Sequence, residues 1–129
     1  MATINGNNNA NTLTGGAPAD TLNGQGGNDT LDGGAGNDLL IGGRGNDTYR
    51  FGLGYGADVV DNSGGTNNDV DVIALISINA SDIRLYRIGN DLVLTLLASG
   101  ETLTVSQYFL DADHAIDRTS ELNLPIDNR

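Results

Sequence analysis

The chain has 129 residues, with 17 acidic residues against six arginines, no lysine and a formal net charge of −11. It contains no cysteine, which excludes a disulfide framework, a thiolate nucleophile and a thiolate zinc site, and it has no basic patch suited to nucleic acid. No run approaches the roughly 20 apolar residues of a membrane span, and residues 1–10 lack the apolar core of a signal peptide.

In chain order, the first element is a repeat. A nine-residue phrase runs five times without a slip over residues 6–50: GNNNANTLT from Gly6, GGAPADTLN from Gly15, GQGGNDTLD from Gly24, GGAGNDLLI from Gly33 and GGRGNDTYR from Gly42. Position one is glycine in every frame, position two is Gly16, Gly34 and Gly43, and position four is Gly27, Gly36 and Gly45. Such density suits a chain that turns through positive φ angles and leaves its carbonyls aimed at one spot. Position six is Asn11, then Asp20, Asp29, Asp38 and Asp47, where a short side chain reaches back to those carbonyls. Only Glu101 and Glu121 among the acids are glutamate. Generic solubility would be served by both acids, so the bias to aspartate points to ligands on tight loops. Calcium takes six to eight carboxylate and carbonyl oxygens at about 2.3–2.6 Å.

Positions seven to nine read as short strands, and their middle residues Leu13, Leu22, Leu31, Leu40 and Tyr49 point one way by the period-two rule. Each frame is therefore a turn plus a strand, two frames make one coil, and coils stack at roughly 4.8 Å.

The pattern GGxGxDxUx resembles the RTX (haemolysin-type) calcium-binding repeat. The resemblance implies an all-β fold, a parallel β-roll, that is, a right-handed solenoid of nonapeptides. It also implies several calcium ions, each held between turns two frames apart by position-six side chains and by carbonyls of positions one to four. Carried onto this chain, Asp20 pairs with Asp38, Asp29 with Asp47, and Asn11 with Asp29. The backbone ligands would come from Gly15 and Gly16, from Gly24, Gly26 and Gly27, from Gly33, Gly34 and Gly36, and from Gly42, Gly43 and Gly45. Asn11 brings no charge, so its site is expected to be weak or absent. Ala17 and Pro18 deprive the second turn of its fourth-position glycine.

From Phe51 the period breaks. A turn and strand follow over residues 51–60, shifted by two, with Asp58 at position six and Val60 at position eight. A longer loop over residues 61–69 leads to Asp71-Val72-Ile73. Asp58, Asp61, Asp69 and Asp71 are either ligands for the last ions or plain loop acids. Apolar strands are expected over 70–78, 83–88, 92–97 and 103–105, with tight turns at Gly89-Asn90-Asp91 and Ser99-Gly100-Glu101 and a short helix or turn over 111–116. The runs GNDLVL and GETLTV and the pair Tyr108-Phe109 resemble the domain flanking such repeats in haemolysin-type proteins, which implies a β-rich cap for an open roll end. The expected organisation is repeats over 1–50 and, over 51–129, irregular final coils with a C-terminal β capping region.

Stacked carboxylates with nothing basic opposite repel one another, and high net charge favours disorder. The expected function is a calcium-binding module that folds outside the cell on binding the ion, at about 10⁻⁴–10⁻³ M per site. The resemblance adds type I export as part of a larger secreted, toxin-related polypeptide, with the module itself monomeric. The alternative is a calcium-stabilised adhesion module contacting a polysaccharide, receptor or neighbouring domain, with Tyr49, Tyr55, Tyr86, Tyr108 and Phe109 as contact aromatics. Enzymatic activity is not expected: the one histidine, His114, has no motif placing a serine beside it. The triplets at Asn28, Asn46 and Asn79 match the glycosylation sequon but are read as accidental.

Overall fold

A computed structural model describes residues 2–61, 71–106, 118–119 and 124–125. The three-residue strands β1 (Thr3–Asn5), β2 (Thr12–Thr14), β3 (Thr21–Asn23), β4 (Thr30–Asp32) and β5 (Leu39–Ile41) are followed by β6 (Thr48–Gly52), β7 (Ala57–Asp61) and β8 (Val72–Ile76). A 3-10 turn (Ala80–Asp82) precedes β9 (Ile83–Ile88), β10 (Asp91–Leu96), β11 (Thr102–Val105), β12 (Arg118–Thr119) and β13 (Leu124–Pro125). Among the described residues there is no α-helix, so no helix is long and apolar enough to cross a membrane.

The chain is a parallel β-roll. Odd strands build one sheet in the order β1-β3-β5-β7-β11-β10-β9, and even strands build the other in the order β13-β12-β8-β6-β4-β2. The register follows two frames per coil: Thr3 lies beside Thr21, Leu22 beside Leu40 and Leu31 beside Tyr49, each eighteen residues on. The step then lengthens. Leu40 pairs with Val60 because Phe51 and Gly52 extend β6, and Tyr49 pairs with Ile73. The parallel stack keeps the position-eight residues in line across both longer steps.

That line is the core. Leu22, Leu31, Leu40, Tyr49 and Val60 are fully buried, and Leu13, Ile73, Leu75 and Phe51 join them. Tyr55 packs edge-on against Phe51 at 6.1 Å between ring centres. The same cluster takes in Leu92, Leu94 and Leu96 of β10 and Leu103 and Val105 of β11. These strands extend the roll: β11 lies parallel to β7, and β10 and β9 continue antiparallel.

The apolar strand expected over 83–88 forms, and most of it is exposed. Leu85 is 37%, Tyr86 39% and Ile88 59% exposed. β9 is the last strand of its sheet among the described residues. The helix or turn expected over 111–116, the Tyr108-Phe109 pair, His114 and Asp69 lie outside the described residues.

Candidate metal centre

Six aspartates stand at position six, and all are buried. Asp20, Asp38 and Asp58 follow one side of the roll, and Asp29, Asp47 and Asp71 the other, each between 0% and 4% exposed. Buried carboxylates are rare unless paired or bound to metal. One carboxylate oxygen of each is accounted for by the stack. The amide of Ala2 donates to Asp20 Oδ1 (2.9 Å), that of Asp20 to Asp38 Oδ1 (2.8 Å) and that of Asp38 to Asp58 Oδ1 (2.9 Å). On the other side, Asn11 N–H donates to Asp29 Oδ1 (2.8 Å), Asp29 to Asp47 (3.0 Å) and Asp47 to Asp71 (2.9 Å). The three pairs read from the frame thus meet, and both columns run on into the irregular coils. Asp61 lies on β7 beside Ile41, outside these columns.

The second oxygens divide the turns. In the first, Asn11 Oδ1 accepts from Asn7 N–H at position two (2.8 Å), and in the second Asp20 Oδ2 accepts from Gly16 N–H (2.8 Å). These turns close on themselves. The second oxygens of Asp29, Asp38 and Asp58 are buried with no hydrogen-bond donor. A buried anionic oxygen without a donor is costly and calls for a cation or a proton.

Backbone carbonyls line the space beside them. A methyl group placed on Gly6 would come within 2.8 Å of the Gly24 carbonyl oxygen, and one on Gly24 within 2.8 Å of that of Gly42. From the other direction, the Gly16 carbonyl lies 2.8 Å from such a group on Gly34, and the carbonyls of Gln25, Gly27 and Gly36 crowd Gly43, Gly45 and Gly56. Carbonyls of positions one, two and four therefore enter the gap between turns two frames apart. The Gly26 N–H donates a hydrogen bond to the Asn7 carbonyl (3.2 Å). Among the described residues no three His, Cys, Asp or Glu side chains converge. A cation here would draw most of its oxygens from the backbone, a donor set that hard calcium accepts and softer metals do not favour.

The family model of the RTX calcium-binding nonapeptide repeat (4 copies) matches at residues 5–40, 14–49 and 25–56. This stretch of the chain belongs to the RTX calcium-binding repeats. The roll is accordingly a calcium-binding module, and the residues that would hold the ions are the open aspartates and the carbonyls between them. A bound calcium supplies positive charge where those oxygens lack donors.

The glycines of the RTX frame serve two ends. Positions two and four are left-handed, as at Gly34 (φ 74°) and Gly36 (φ 96°), which the sequence reading anticipated. Position one is not. Gly33 and Gly42 are glycine because a side chain would strike the carboxylates of Asp38 and Asp47. Gln25 occupies position two at φ 71°, a conformation that costs a residue with a side chain. Gly16 is not left-handed, and Pro18 at position four is barred from it by its ring; the second turn differs as its sequence suggested.

Electrostatics follow the same division. The Gly16 amide holds the Asp20 carboxyl below the usual aspartate range. Burial raises Asp29 and Asp38, and burial pushes Asp58 up to about 7.

The shifted frame read at Asp58 and Val60 has Gly54 (φ 86°) and Gly56 (φ 78°) at positions two and four. Two features went unread in the sequence. Position-five asparagines form a second ladder: Asn28 Oδ1 accepts from Asn46 N–H (2.9 Å), and Asn37 Oδ1 from Ala57 N–H (3.0 Å). Their recurrence in three frames marked them. At position nine, Asp32 Oδ2 lies 3.2 Å from Arg50 Nε and accepts from Tyr55 O–H (3.2 Å), while its Oδ1 accepts from Gly34 N–H (3.1 Å).

Proposed function

We propose that calcium folds this module after export, and that the folded roll then assists folding of the larger secreted polypeptide to which it belongs. The observation that carries this reading is the set of buried, donor-less oxygens on Asp29, Asp38 and Asp58. Without a cation the folded roll must keep them desolvated, in a chain of net charge −11. An ion that binds only the folded form adds its binding free energy to folding. In a calcium-poor cytoplasm the chain would stay open enough for a type I exporter, and calcium outside would close it. The module is monomeric and not catalytic in this reading.

The adhesion alternative needed several aromatics exposed on one face. Among the described residues Tyr49 and Phe51 are buried, Tyr55 packs on Phe51, and Tyr86 alone is exposed. The folding role is tested by far-UV circular dichroism during a calcium titration, with magnesium as control. A cooperative gain of β-structure in millimolar calcium, absent with magnesium, is expected. A spectrum already fully β in chelator would overturn it.

A further inference from the structure

Glu101 is one of two glutamates in the chain, and it lies in the tight turn between β10 and β11. Its carboxylate spans the sixth turn. Gly54 N–H donates to Oε1 (3.0 Å) and Gly56 N–H to Oε2 (2.7 Å). Those two amides hold the carboxyl below its ordinary range. Gly54 and Gly56 occupy positions two and four of a frame whose position six is Asp58.

In four turns the partner of the position-two amide goes with the state of the position-six side chain. In the first and second turns the amide bonds to Asn11 and Asp20 of its own frame, and that side chain is closed. In the fourth turn Gly34 N–H is taken by Asp32 instead, and Asp38 keeps an open oxygen. In the sixth turn Gly54 N–H is taken by Glu101, and Asp58 keeps an open oxygen. A peptide N–H directed at one carboxylate is withdrawn from another.

We propose that Glu101 is a positioning residue for the cation site at Asp38 and Asp58: by taking the Gly54 and Gly56 amides it leaves the outer oxygen of Asp58 open for a calcium ion. Asp58 is 1% exposed, so the freed oxygen has no water to turn to. The site thus depends on a residue more than forty positions downstream, in strands that carry no repeat. Glu101 also ties the β10–β11 turn to the last repeat, so the final site and the C-terminal strands form together.

This inference rests on the calcium-binding reading above. Its test is calorimetric titration of the full chain with calcium, comparing wild type with Glu101→Gln and with Glu121→Gln as a control for loss of one charge. The glutamine retains the size of the side chain but can accept at one oxygen only. The expected result is that Glu101→Gln weakens a single site by about tenfold or more while the remaining sites keep their affinity, and that Glu121→Gln matches wild type. Uniform weakening of every site would reduce Glu101 to a structural clamp and overturn the proposal, as would an unchanged isotherm. If the wild type itself binds no calcium, the calcium reading fails instead, so the two failures are distinct. Should Glu101→Gln not fold, Gly54→Ala gives the second arm. A methyl group there meets nothing within 4 Å, so it perturbs only the left-handed amide that Glu101 holds, and the same single-site loss is expected.

Discussion

The first two turns of the roll and the later ones share a backbone plan but differ in what their position-six side chains can do. Asn11 and Asp20 have hydrogen bonds from their own turn amides, so those turns are satisfied by the protein alone. Asp29, Asp38 and Asp58 each keep one buried oxygen without a donor. The lesson is that a repeat with the right residues is not by itself a full ion site. The carboxylate is closed where the position-two amide of its own turn bonds to it, as in the first two turns, and open where that amide does not. The early turns are fixed by the peptide, and the later ones wait for a cation.

The largest effect that would break this comparison is removal of an open aspartate. Asp38→Ala strips the acceptor from the buried Asp20 amide as well as the open oxygen, and an unsatisfied buried amide alone costs about 1–3 kcal/mol. In calcium the loss should be greater, because a site goes with it. Thermal melts with and without chelator measure both parts.

Asparagine substitutions sharpen the contrast through their sign. Asp38→Asn keeps an amide acceptor but removes a charge that burial disfavours, so it should stabilise the metal-free chain and destabilise the calcium-loaded one. Asp20→Asn removes a charge that the Gly16 amide favours, so it should destabilise the chain in both conditions. Melts of the two variants showing the same sign in chelator would undo the distinction between closed and open turns.

The effect of pH comes next. Asp58 titrates at about 7 in the fold against 3.8 for a free aspartate. Between those values the folded chain holds a proton that the unfolded chain has lost, so metal-free stability falls as pH rises through this window and levels off above it. Asp29 and Asp38 act in the same direction. In chelator the melting temperature should therefore be higher at pH 5 than at pH 7.5. In calcium the order should reverse, because protons compete with the ion.

The smallest expected effect concerns the second turn. Pro18→Gly allows a left-handed fourth position there and loses a rigid residue, at about 0.4–1 kcal/mol in chelator. If the turn then opens, calcium should recover part of that loss, which a comparison of melts would register.

Much of this architecture was legible in the sequence because the period is strict. Counting frames paired Asp20 with Asp38 and Asp29 with Asp47, and it carried position six across the two-residue insertion to Asp58, since stacking demands that Val60 fall in line with Leu40. What did not show was everything set by contact across the fold. The glycine at position one looks like those at positions two and four, yet it answers to the crowding of Asp38 against Gly33 and not to its own backbone angle. Glu101 read as a turn residue because its partners Gly54 and Gly56 are more than forty residues away. β9 read as an apolar strand, yet it is mostly exposed, because burial needs an opposing layer and a strand's own residues cannot supply one.

The central claim is that the open aspartate oxygens are calcium ligands, and a crystal structure grown in calcium, with anomalous diffraction to locate the ions, tests it most directly. The account predicts ions between the turns bearing Asp38 and Asp58 and between those bearing Asp29 and Asp47, each about 2.3–2.6 Å from a carboxylate oxygen and from backbone carbonyls. Calcium-saturated crystals with no ion at either place, and with those oxygens still lacking a partner, would contradict it.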